Sequence, residues 1–218
     1  MNTKNFRPVL TCVALLLGLA VSAPAARGQD RGTLVIDAGA GIGLPVGDLS
    51  DVSDPGPAFD FGVSYALSPT IAVRGGLQAE VYGGATGPGG EGPTVRLFHL
   101  LVGPAFHLVR APSDRGFGLT AFVGVGGTAF TTGRKLVGAG ATVRTIDISK
   151  FYPGVAARLE AHYSLSPSAA LFLGATGTLT FAKADDTEPF TILNPAVTDM
   201  TKLVSVPITA GVRLTFPE

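Results

Sequence analysis

From Thr33 onward apolar and polar residues alternate with a period of two, and no window carries the i, i+3, i+4, i+7 stripe of an amphipathic helix. The alternation predicts a chain built from strands. It is plainest in the closing run, where Val204, Val206, Ile208, Ala210, Val212, Leu214 and Phe216 alternate with Ser205, Pro207, Thr209, Gly211, Arg213 and Thr215.

The same pattern repeats eight times. The first segment sets Leu34, Ile36, Ala38, Ala40, Ile42 and Leu44 against Asp37, Gly39, Gly41 and Gly43. The second uses Phe59, Phe61, Val63, Tyr65 and Leu67, and the third Ile71, Val73, Leu77, Ala79 and Val81. The fourth is less regular, with Phe98, Leu100, Val102, Phe106 and Leu108 opposite Leu97, His99, Leu101, Gly103 and His107. Phe117 to Val125, Val155 to Leu165 and Leu171 to Phe181 supply the fifth to seventh.

Connections alternate in length. Residues 67–70, 109–116 and 165–168 are short turns, and Tyr65-Ala-Leu-Ser-Pro-Thr70 is echoed by Tyr163-Ser-Leu-Ser-Pro-Ser168. Residues 45–57, 83–93, 131–150 and 183–199 are long loops, all at one end. The expected fold is an eight-stranded antiparallel up-and-down barrel over residues 31–216.

Eight alternating strands suit a soluble ligand-binding barrel with its apolar face inward or a transmembrane barrel with that face outward. The opposite face decides. A water-facing surface needs many Lys and Glu residues, whereas here that face is mostly Gly, Ser, Thr and Ala with a few charges, a composition suited to a crowded lumen. The centre of the apolar face carries no charge, and a charge there would cost about 2 to 4 kcal/mol at a bilayer midplane. Tyr65, Phe106, Phe117, Tyr163 and Phe216 lie near one rim, and Phe59, Phe61, Phe98, Phe151 and Phe181 near the other. Two aromatic girdles around an aliphatic band are what a transmembrane barrel requires.

Composition agrees. Charged residues make up 15% of the 218, with 16 basic against 16 acidic, where soluble domains carry about 25%. That excludes the basic surface of a nucleic-acid binder and the low hydrophobicity of a disordered chain. Residues 1–28 read as a cleaved signal peptide: Lys4 and Arg7 precede an apolar run from Val9 to Val21, and the small residues Ala23, Ala25, Ala26 and Gly28 follow. Cleavage after Ala25 or Gly28 fits. Losing Lys4, Arg7 and Arg27 takes the basic count from 16 to 13, leaving a mildly acidic chain, and Cys12 departs with the signal.

On these residues the chain resembles the small outer-membrane β-barrel family, the OmpA-like and OmpX-like barrels. The resemblance is carried by Gly39-Ala-Gly-Ile-Gly-Leu-Pro-Val-Gly-Asp-Leu49, the two Tyr-x-Leu-Ser-Pro turns, Gly103-Pro-Ala-Phe106 and the strand ending Arg213-Leu-Thr-Phe216. It implies residence in the outer membrane of a two-membrane bacterium, with the long loops outside and both termini in the periplasm. It also implies that Phe216, followed here by Pro217 and Glu218, serves as part of the signal to the outer-membrane assembly machinery.

Candidate chemistry is sparse. Gly39 to Gly47 imitates a dinucleotide fingerprint, but Pro45 denies the helix whose N-terminus would hold a pyrophosphate. The Gly-rich stretch 83–93 lacks the Gly-Lys-Ser/Thr of a phosphate-binding loop. His99 and His107 share a face but stand about 27 Å apart at strand rise, too far to hold one metal. His162 and Ser164 match the His-x-Ser pair of an outer-membrane lipid A deacylase family, in which the site faces lipid; here both fall on the lumen face. No cofactor, metal or catalytic residue is expected.

The firmest constellation is charged. Asp37, Glu80 and Glu160 balance Arg74, Arg158 and Arg213 on the lumen face, with Asp60 in addition. Isolated buried charges are too costly to leave unpaired, so a structural ion-pair network is expected, with Asp37 facing Arg213 where the first and eighth strands close the barrel. A polar path or gate is the alternative. In the third long loop Arg134, Lys135, Arg144 and Lys150 form a candidate anion-binding group, suited to phosphorylated outer-leaflet glycolipid or an acidic surface polymer. The expected role is that of a non-enzymatic, monomeric envelope protein, structural or surface-binding. A narrow pore, a lipid-modifying enzyme and a soluble ligand-binding barrel are the alternatives.

Overall fold

A computed structural model describes residues 31–87, 90–111, 115–139, 142–187, 190 and 200–216. The expected signal peptide, and Pro217 and Glu218, lie outside the described residues. Eight long strands, β1 (Leu34–Val46), β2 (Gly56–Ala66), β3 (Ile71–Gly84), β4 (Val95–Val109), β5 (Gly116–Thr132), β6 (Ser149–Ser166), β7 (Ala169–Phe181) and β8 (Lys202–Phe216), follow one another around a single sheet. Each pairs antiparallel with the next, and β8 returns to β1 from Leu34↔Phe216 to Val46↔Val204, so the sheet closes. Closure leaves no sheet edge to be paired.

The period of two is realised as outside and inside. Outward-facing Phe59, Phe61, Leu100, Val125, Phe151, Leu173 and Val212 are all exposed, while Asp37, Glu80, His99, Arg158, Glu160 and Thr209 on the opposite face are buried. A core of this kind is inverted: polar side chains fill the interior, and the apolar ones form a belt around it.

Three features depart from the sequence pattern. The register between β4 and β5 shifts between His107 and Val109, so that His107 pairs with Thr120 and Val109 with Leu119, and Leu108 is the extra residue. Such a bulge resets the alternation: Leu108, expected on the apolar face, is buried, and Val109 is exposed instead. Second, β5 and β6 each enter the expected loop 131–150 by only two residues, but within that loop residues 135–139 and 142–146 form a further two-stranded hairpin. Third, the inward face is apolar at the long-loop end, where Tyr82, Val95, Leu97, Phe130, Tyr152 and Leu203 point inside.

Prolines interrupt the ladders on one side only. The β4–β5 pairing skips Gly103 and Pro104 while Pro104 still stands opposite Val73 of β3. The β7–β8 pairing skips Val206 and Pro207 while Pro207 stands opposite Gly43 of β1. Proline lacks the N–H donor, so a strand loses bonds only on the side toward which that donor would point.

Candidate functional site

Across the middle of the lumen six charges from five strands meet. Arg74 of β3 donates to both carboxylate oxygens of Asp37 on β1, at 2.5 and 2.6 Å. Arg158 of β6 donates to Glu160 at 3.0 Å from Nε and 2.8 Å from Nη2, and its Nη1 lies 3.0 Å from Asp60 of β2. Arg213 of β8 donates to Glu160 and lies 3.1 Å from His162 Nδ1. Three cations thus meet three anions, all buried, which is how an interior too narrow for bulk water accommodates them.

The pairing differs from the one the register suggests. Asp37 and Arg213 stand opposite each other across the closing seam, yet Arg213 Nη2 is 3.8 Å from Asp37 while Arg74 takes both carboxylate oxygens. Register fixes only the Cα positions; an arginine has reach enough to pass its opposite neighbour.

Room for these side chains comes from glycines. A Cβ on Gly62 would stand 2.3 Å from Arg74 Nη2, and one on Gly118 2.2 Å from His162 Nε2. Arg74 and Arg158 also lie over the inward rings of Phe122 and Phe172, at 6.0 and 5.3 Å, within cation–π range. Below this layer, toward the short turns, Ser64, His107 and Thr120 help line a cavity with room for about one water.

Glu80 is not part of the six-charge layer. It lies farther toward the long-loop end of β3, where it accepts from Gln78 at 2.5 Å, from Ser205 at 3.1 Å and from the Tyr82 hydroxyl. His99 Nε2 is 3.1 Å from the same carboxylate, although not aligned as a hydrogen bond. His99 Nδ1 meets Thr128, Thr128 meets Thr180, and Thr178 meets Ser205, at 2.8, 2.7 and 2.5 Å. The contacts make a circuit through β3, β4, β5, β7 and β8. Its parts were legible as inward polar positions, but which threonine meets which histidine depends on barrel curvature. In this circuit the carboxylate stands between serine and histidine, the wrong order for an activated nucleophile, which needs the base in the middle.

Above the circuit the interior is closed by apolar side chains. Tyr82, Val95, Leu97, Phe130, Tyr152 and Leu203 from the strands form one cluster with Leu49, Val52, Ile148, Phe190 and Met200 from the long loops. Phe130 meets Tyr152 and Phe190 with ring centroids 6.4 and 6.3 Å apart. The short helix Ala184–Thr187 is tied to the wall: Tyr152 donates to Asp186 at 2.8 Å and Lys150 lies 3.4 Å from it. Both contacts hold the Asp186 carboxyl below the usual carboxylate range, the Tyr152 hydroxyl most strongly.

The remaining expected residues are dispersed. Arg134 is exposed; Lys135 and Arg144 stand on the two paired strands of the hairpin; and Lys150 is engaged with Asp186. Phe216 is exposed opposite Leu34. His162 faces Arg213 rather than acting on Ser164. Among the described residues no group of His, Cys, Asp or Glu has metal-ligand geometry.

No family model and no curated protein matches the chain. Among solved structures, Neisserial surface protein A superposes with a TM-score of 0.52 at 15% identity, covering 85% of this chain and 100% of its own. The fold is that of a small outer-membrane β-barrel. Ail of Yersinia pestis (TM-score 0.44, 14% identity, 84% and 99% covered) and the N-terminal barrel domain of Pseudomonas aeruginosa OprF (0.42, 11%, 86% and 100%) are further matches. That fold accounts for the exterior: apolar side chains exposed around a closed sheet are stable only against lipid. In transmembrane barrels of this fold the short turns face the periplasm and the long loops the outside.

Proposed function

We propose that this protein is a non-enzymatic outer-membrane barrel, structural or surface-binding, that acts by presenting its four extracellular loops. The observation that carries this reading is the apolar cluster joining loop residues Leu49, Val52, Phe190 and Met200 to the barrel wall at Tyr82, Leu97, Phe130 and Leu203. Loops anchored in this way offer a defined outward surface, and the same cluster plugs the lumen above the buried charges. An adhesion partner would meet that surface. The exposed Arg134 and the hairpin carrying Lys135 and Arg144 suit phosphorylated glycolipid or an acidic polymer, whereas Lys150 is occupied with Asp186. Phe216 suits a role in recognition by the assembly machinery, and the barrel is proposed to act as a monomer.

The test compares intact cells displaying the full protein with cells displaying variants whose loops 2 to 4 are shortened to tight turns. Binding of the cells to host matrix or acidic polysaccharide that disappears with the loops, together with no stable conductance in planar bilayers, is the expected result. Defined single-channel steps from the purified barrel would favour a pore instead.

A further inference from the structure

We propose that the outer wall formed by β4, β5 and β6 holds the phosphate of an outer-leaflet glycolipid on Arg96, with Thr131 and Ser149 beside it and an acyl chain against the recess at Ala129 below. The inference rests on the embedding of the barrel in the outer membrane and not on what the loops bind.

Two outward rows make the site. Arg96 stands opposite Thr131, and Thr131 opposite Ser149. One pair lower, Phe98 stands opposite Ala129, and Ala129 opposite Phe151. Residues directly opposite share a face, with Cβ atoms about 5 Å apart, so each row is a continuous surface across three strands. The lower row faces lipid, since Phe98 is 48% and Phe151 68% exposed. The upper row has the same parity and so the same facing.

Height sets the chemistry. Two residues along a tilted strand raise Arg96 by about 5 Å above Phe98. Below it on β4 the exposed Phe98, Leu100, Val102 and Val109 span the apolar belt. Arg96 is therefore a cation at the upper edge of the hydrocarbon layer, at the level of headgroup phosphates. Its side chain is exposed and has neither an ion pair nor a hydrogen bond among the described residues, in contrast to Lys150. A guanidinium pairs with two phosphate oxygens at once, and the flanking hydroxyls of Thr131 and Ser149 are further donors.

The lower row is shaped for a chain. Ala129 lies between two phenyl side chains, so the wall is recessed there. The Phe151 ring folds down over Gly127, where a Cβ would meet its Cζ at 2.0 Å, and so closes the recess at Ala129 from below. A phosphate above a lipid-facing recess between aromatic side chains is the outline of a phosphorylated amphiphile; a free anion would make no use of the apolar row.

The full mature protein in phosphatidylcholine nanodiscs containing bis-phosphorylated lipid A, or its dephosphorylated form, provides the test, with retained lipid counted by native mass spectrometry. The wild type is expected to retain the phosphorylated form preferentially. Arg96→Gln should weaken retention about tenfold, as expected for losing a charged hydrogen-bonded contact, and Ala129→Phe, on the lipid face, should weaken it by filling the recess. Arg110→Gln, at the periplasmic rim, should change nothing. Equal retention of the two lipids, or of phosphorylated lipid by Arg96→Gln, would overturn the proposal. So would displacement by inorganic phosphate, which would make this a site for free anions. A loss seen with Arg134→Gln and not with Arg96→Gln would reject this site and assign the glycolipid to the third loop.

Discussion

Asp37 and Arg213 stand opposite each other across the seam that closes the barrel, but Asp37 gives its two carboxylate oxygens to Arg74 and Arg213 turns to Glu160. Removing one partner of a dry ion pair strands the other, at a cost of about 3 to 5 kcal/mol. Arg74→Ala is expected to lose stability on that scale, and Asp37→Asn in the same chain to recover part of it. Urea unfolding from lipid vesicles should give a larger coupling for Arg74 with Asp37 than for Arg213 with Asp37.

Val212 is 53% exposed and Thr209, on the opposite face of the same strand, 2%. Val212→Arg should therefore impair membrane assembly, because a charge near the midplane costs about 2 to 4 kcal/mol. Thr209→Ser keeps a lumen hydroxyl and should be nearly silent. Heat-modifiable gel mobility of outer-membrane fractions reads both, and equal tolerance would mean that the strand faces the other way.

The bulge at Leu108 gives a prediction opposed to simple alternation. A nitroxide at position 109 should be quenched by oxygen dissolved in lipid, and one at position 108 should be protected. Reversal of the two accessibilities would restore the unbroken alternation.

Gly62 leaves space for the Arg74 guanidinium, and Asp37 prevents that group from moving aside. Gly62→Ala is expected to destabilise by about 1 to 3 kcal/mol through overpacking, whereas Gly75→Ala, whose Cβ meets nothing within 4 Å, should be mild. Paired urea titrations of the two variants test the contrast.

The loop cap should respond to truncation and to acid. Phe190→Ala, at a fully buried position, is expected to weaken the cap by about 3 to 5 kcal/mol and to open the loops to protease while the barrel stays intact. Asp186 has a lowered folded-state value, so its contacts stabilise above the unfolded value of about 4 and lose their contribution as pH falls through the lower folded value. Hydrogen exchange of residues 182–187, corrected for intrinsic rate, should rise in that acid window, and Asp186→Asn should remove the rise.

Strand number, facing and the alternation of turns and loops were legible in the sequence because a closed barrel in lipid imposes one local rule on every strand: apolar out, polar or small in. Residue order records that rule directly, as at Val212 and Thr209. The rule failed at Leu108, where one extra residue shifts the phase, and at Phe130 and Tyr82, whose apolar side chains belong inside because the lumen at that height meets folded loops.

Partners across the lumen were a different matter. The sequence by itself placed Asp37, Arg74, Arg158, Glu160 and Arg213 inside and required that their charges be compensated. Only the closed sheet decided that Arg74 binds Asp37, that Asp60 completes a three-to-three layer and that Glu80 stands apart with His99. These contacts join strands far apart in the chain, and barrel stagger, which no local pattern encodes, sets their relative heights. The same holds for Arg96, Thr131 and Ser149, which became neighbours on the outer wall through the register of three strands.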